Sequence, residues 1–172
     1  MSANAAGWRA LTDAQRAGWE SLAGNISRTD ALGSTYTLNG FLTYVSVNNN
    51  NVAAGNAIVA DAPALVTPAA LLTAVITLTS AALSIAYTTT PLSAGSRLFT
   101  FASPQVSAGR QFNANYYLIA VSAAAAASPA NLFAAYSAKW GVPVTGRRVF
   151  FSLTVYNGGF QSGPLVTSQI IA

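Results

Sequence analysis

Four carboxylates are the only side chains in this chain that could serve as ordinary acids or bases near neutrality: Asp13, Glu20, Asp30 and Asp61. Arg9, Arg16 and Arg28 lie among them. From Ala62 to the C-terminus the chain carries five cations (Arg97, Arg110, Lys139, Arg147, Arg148) and no carboxylate side chain. A glycosidase needs two acids across one cleft, and only Asp30 with Asp61 could be brought together for that. There is no His and no Cys. Imidazole bases, thiol nucleophiles, disulfides and Cys/His zinc sites are therefore excluded. No phosphate-cradling glycine loop or His-Glu-x-x-His helix is present, and a Gly-x-Ser-x-Gly elbow would lack its His. No catalytic residue, cofactor or metal is expected, and the chain is read as a non-enzyme. Asp61, close to Pro63, suits an Asx turn.

The five late cations are too scattered for the clustered basic stripe of a nucleic-acid site. Charged residues make up 7% of the chain, against a usual value of about 25%. So few charges leave Ser, Thr, Asn and Ala to face water, or leave surface for a partner to cover. Low charge favours association, so a homo-oligomer is expected. The stretch from Met1 to Gln15 lacks a basic run followed by an apolar one, and no Sec signal is expected there. Residues 71–86 and 116–136 are apolar but broken by Ser, Thr, Asn and Pro, so no membrane span is expected.

Aromatic side chains are the other groups that could make a site. Trp8, Leu11, Trp19, Leu22 and Ile26 recur near helical spacing, and residues 8–26 read as one amphipathic helix. Thr12 and Gln15 match a capping box within it, and Gly24 or Asn25 can end it in the left-handed conformation. The two indoles either dock this helix on its own chain or contact a neighbouring subunit, as Trp does at interface hot spots. Trp8, Trp19, Phe41 and Phe160 are the candidate interface residues. Phe160, in the loop 157–164, is expected to be the most exposed. Tyr116, Tyr117, Trp140, Tyr156 and Phe160 could alternatively line a carbohydrate-binding face, although such rings are usually core.

The elements that would carry these groups fall into two parts. Residues 39–51 suit a helix face or a strand; propensity favours the strand while Asn39-Gly40 could cap a helix, and 48–51 (four Asn) form a polar terminator. Pro63 and Pro68 break the chain, giving an N-terminal helical segment over 1–62 and a second domain over 63–172. In the latter, strands are expected at 72–79, 83–90, 97–102, 112–122, 147–156 and 165–172, with a short crossing helix over 131–140. Residues 147–156 alternate apolar and polar, which predicts a half-buried strand. The turn residues Asn157, Gly158 and Gly159 follow. Short strands separated by closely recurring turn signals predict a mainly β chain built on an antiparallel β-sandwich.

Leu11-Thr12-Asp13-Ala14-Gln15-Arg16-Ala17-Gly18-Trp19, Asp30-Ala31-Leu32-Gly33 and Leu38-Asn39-Gly40-Phe41 form one set of motifs. Tyr136-Ser137-Ala138-Lys139-Trp140-Gly141, Gly146 and Val149-Phe150-Phe151 form another. Together they resemble small phage and prophage virion proteins, in which one or two helices precede a fibronectin-III-like (Ig-like) sandwich. The resemblance spans most of the chain, but its motifs are structural. It implies a helix over 39–51, and a structural subunit of a phage capsid, tail, filament or other extracellular assembly. The partners would be further copies or other virion proteins, and the chain would be cytoplasmic before assembly. The other expectation is a sandwich that presents loops to a carbohydrate or a host surface.

Overall fold

The computed structural model describes residues 3–30 and 32–172; residues 1, 2 and 31, which the expected segment 1–62 includes, lie outside the described residues. The chain divides into two compact units, 1–67 with 158–160, and 68–157 with 161–172.

The helical unit opens with α1 (Ala3–Ala10) and α2 (Asp13–Gly24). The single helix expected over 8–26 is thus two. Thr12 is extended, at φ −68° and ψ 162°. Its hydroxyl accepts from the Gln15 amide at 3.2 Å, while the Gln15 side chain accepts from the Thr12 amide at 3.0 Å. A capping box marks a start, so the residue that makes it cannot lie inside a helix. Arg16 closes the other side of the break by donating to the Arg9 carbonyl at 3.0 Å. Asn25 does cap α2, but at φ −90° and ψ −2°, which is right-handed.

A two-stranded ribbon follows, β1 (Ser27–Thr29) and β2 (Thr35–Thr37), and then α3 (Gly40–Ala53). Residues 39–51 are therefore helical from Gly40 onward. The Asn39 side chain accepts from the Leu42 amide at 2.8 Å and caps α3. The Asn run continues the helix instead of terminating it. Asn48 is fully buried and holds the Val59 main chain by two bonds, 2.8 Å from its amide and 3.1 Å to its carbonyl. A buried amide side chain is tolerated only when paired, and Val59 supplies both partners.

The second unit carries β3 (Thr73–Leu78), β4 (Leu83–Thr88), β5 (Arg97–Ala102), β6 (Val106–Ser107), β7 (Tyr117–Val121) and β8 (Ala130–Asn131). After these come α4 (Phe133–Trp140), β9 (Arg147–Asn157), β10 (Phe160–Gln161, of which Gln161 belongs to this unit) and β11 (Leu165–Ile170). β3, β4 and β8 make a three-stranded sheet. In the larger sheet β9 lies between β5 and β11, with β7 beyond β5 and β6 also on β9. The paired strands run antiparallel. With four helices and eleven strands among the described residues, the chain is mixed and not mainly β. One hydrophobic core joins Ile76, Leu83 and Ile85 to Leu98, Phe151 and Leu153, with Tyr136 of α4 among them.

Two strand expectations are corrected. The long strand expected over 112–122 is confined to β7, because Phe112 through Asn115 fold into a loop in which the Asn113 side chain donates to the Asn115 carbonyl. β9 is not half-buried. Residues 149–156 are buried on both faces, Val149, Phe151, Leu153 and Val155 in the core and Phe150, Ser152, Thr154 and Tyr156 on the reverse. Tyr156 stacks on Phe99 there, with ring centres 5.3 Å apart.

Tyr136 is fully buried, and burial pushes its phenol far above the usual tyrosine value. Its hydroxyl donates to the Ser103 carbonyl at 3.3 Å, a position that would be repulsive for a phenolate. Because the folded value is raised, the contribution is complete below the unfolded value of about 10 and is lost as pH climbs above it. Stability measured by denaturant titration is expected to fall progressively above pH of about 10, and less steeply in Tyr136→Phe. An equal fall in that variant would assign the alkaline loss to other groups.

Candidate binding surfaces

The four expected interface residues come together in the helical unit, but largely on its inside. Trp19 is 0% exposed and donates from Nε1 to the Ala60 carbonyl at 2.8 Å. Its ring meets Tyr44 edge-on at 5.2 Å. Trp8 is half-buried against Tyr44 at 5.5 Å and Phe41 at 5.7 Å. Phe160 packs half-buried on the same cluster of Leu11, Trp19, Leu22, Tyr44 and Val47. Trp19 therefore has no surface to offer a neighbour, and Phe160 is not the most exposed ring. The helical stripe of 8–26 folds onto α3, and that buries it.

The most exposed part of this unit is the ribbon. All six residues of β1 and β2 face solvent, Tyr36 included, and at its tip Leu32 is 92% exposed. Asp30 shapes the tip by accepting from the Leu32 and Ser34 amides, both at 2.9 Å. This is the Asx geometry expected of Asp61 instead. Asp61 accepts a 3.0 Å bond from the Gln15 side chain.

In the β unit the aromatics proposed for a sugar face do not share one. Tyr156 is buried in its stack on Phe99. Tyr117 and Trp140 pair edge-on at 5.3 Å, with the Lys139 ammonium 5.6 Å and 5.7 Å from their ring centres. Tyr116 lies elsewhere, in a cleft of about 400 Å³ walled by Gln111 to Ala114 and floored by Phe150, Val166 and Ser168. The register explains the floor. Phe150 pairs with Ser168 and Ser152 with Val166, so these side chains share the reverse face of the β9–β11 pair. Arg148, two positions before Phe150, is on the same face, opposite Ile170. It donates to the Arg110 carbonyl at 3.0 Å and to the Gln111 side chain at 3.2 Å. Phe112, on the wall, is 72% exposed. Burial raises the Tyr116 phenol above its usual value.

Sequence reasoning misses the cleft because residues 112–122 read as strand. Asn113 and Asn115, both disfavoured in strands, are the available signal. Among the described residues no group of three or more His, Cys, Asp or Glu could hold a metal ion. No described helix is long and apolar enough to cross a membrane. No protein-family model matches the chain, and no match to a curated protein was found.

Proposed function

We propose that this chain is a structural subunit of a virion or other extracellular assembly, of the phage capsid, tail or filament kind, and that it self-associates. Its two sheets would form a fibronectin-III-like sandwich around the shared core. The observation that carries the reading is the ribbon. A two-stranded hairpin alone is marginal in water. This one leaves all six strand residues exposed and lifts Leu32 and Tyr36 into solvent. A polar ribbon that presents Leu32 and Tyr36 to solvent, on a chain with so few charges, suits an arm that docks on a neighbouring copy.

The test is oligomeric state. Light scattering after size exclusion, with negative-stain imaging, should find multimers of the intact chain. Replacing residues 28–36 with a Gly-Ser linker of equal length should shift the chain to monomer while its helical circular dichroism persists. An intact chain that stays monomeric at high concentration would overturn the proposal. The second reading, a module that binds carbohydrate, is favoured by one observation only, the exposed Phe112 ring over an open cleft.

A further inference from the structure

We propose that the cleft between the 111–116 loop and the reverse face of β9–β11 binds an acidic saccharide, a pyranose ring bearing a carboxylate. The inference deepens the second reading and rests on it; it is independent of self-association. Three features of the cleft define the ligand. Phe112, 72% exposed, with Tyr116 and the buried Phe150, offers aromatic surface to the apolar face of a sugar ring. Ser168, on the same face as Phe150, adds a hydroxyl as a neutral hydrogen-bonding group.

Charge selects the acid. Nε of Arg110 is tied to the Phe112 carbonyl at 2.7 Å, which fixes this exposed guanidinium next to the main chain of the cleft wall. Arg148 is tied to Gln111 on the cleft wall, and its Nε is a buried donor with no acceptor within the protein. Behind the wall Arg148 adds positive field, and the exposed Arg110 guanidinium is the cation a carboxylate can reach from solvent. The β unit has no Asp or Glu side chain to compete for either guanidinium. A neutral sugar would leave both cations without an anionic partner, and a charge-assisted bond is about twice as strong as a neutral one.

Calorimetric titration of the intact chain with glucuronate and N-acetylneuraminate is the test, with glucose and N-acetylglucosamine as neutral controls and an acetylated Asp-Phe-Asp peptide as the acidic non-sugar. The acids are expected to bind weakly, with Kd of about 1 mM, and more weakly as salt rises. Phe112→Ala and Arg110→Gln alter exposed side chains and should fold normally, yet each should weaken binding about tenfold or more. Binding of neutral sugars as well as acidic ones, or acid binding that survives both substitutions, would overturn the acidic-saccharide assignment while leaving a carbohydrate module standing. Equal binding of the peptide would replace the saccharide with an acidic protein segment. Failure of every saccharide to bind would remove the second reading together with this inference.

Discussion

Replacing Trp19 with Ala is expected to cost about 3–5 kcal/mol and to unfold or loosen the helical unit. The indole is fully buried at the centre of the packing of α2 on α3, edge-on to Tyr44 and beside Leu22 and Val47. Removing it leaves a cavity that the surrounding helices can close only in part. It also strands the Ala60 carbonyl that Nε1 now satisfies at 2.8 Å. Trp19→Phe should lose less, because it refills much of the volume and forfeits mainly the hydrogen bond. Trp8→Ala should also lose less, since that ring is only half-buried. Denaturant unfolding combined with amide exchange across α2 and α3 measures the effect. A Trp19→Ala protein less than about 1 kcal/mol weaker than its parent would mean the packing is not as described. The same variant separates two roles for the indole. An interface tryptophan would change oligomeric state at unchanged exchange protection, whereas a core tryptophan changes the protection itself.

What could be read in the sequence followed from local chemistry, and what could not be read depended on what lay opposite. Arg97–Ala102 forms a strand over the residues expected, because strand-favouring positions sit there between turn residues. The capping box at Thr12 and Gln15 is visible in the sequence, yet the apolar spacing of Trp8 and Leu11 continues across it and suggests one helix. Where periodicity and a cap conflict, the cap decides, since it sets the backbone of one particular residue. The Asn run misleads for the opposite reason. Composition alone places four Asn in a loop, but Asn48 is satisfied by Val59, and Asn50 by the Gly159 carbonyl, far away in the chain. No local pattern reports such partners. The candidate rings show the same limit. Spacing puts Trp8 and Trp19 on one helical stripe and says nothing of Phe41 and Phe160; the fold packs Phe160 on the cluster around Trp19 and Phe41 against Trp8, and only the partner helix determines that Trp19 faces inward.

Gly159→Ala is expected to be the second most damaging single change, at about 2–4 kcal/mol, whereas its neighbour Gly158 should tolerate Asn with little loss. Both glycines have positive φ, 56° at Gly158 and 92° at Gly159. The first value lies in the left-handed region that Asn adopts readily, and a Cβ there would meet only Val66 Cγ2, at an ordinary 3.7 Å. The second value is one that side chains rarely adopt. A Cβ at Gly159 would also collide with Val47 Cγ1 and press on the Asn51 side-chain oxygen at 3.3 Å. Val47 is part of the buried cluster, and the Gly159 carbonyl is held by Asn50 at 2.8 Å, so neither side can yield easily. The clash would fall on α3, not on the hairpin that carries the substitution. Exchange protection should therefore drop in α3 around Val47 to Asn51 and persist in β9. A Gly159→Ala protein as stable as Gly158→Asn would show that the tip does not press on α3 as closely as this geometry requires.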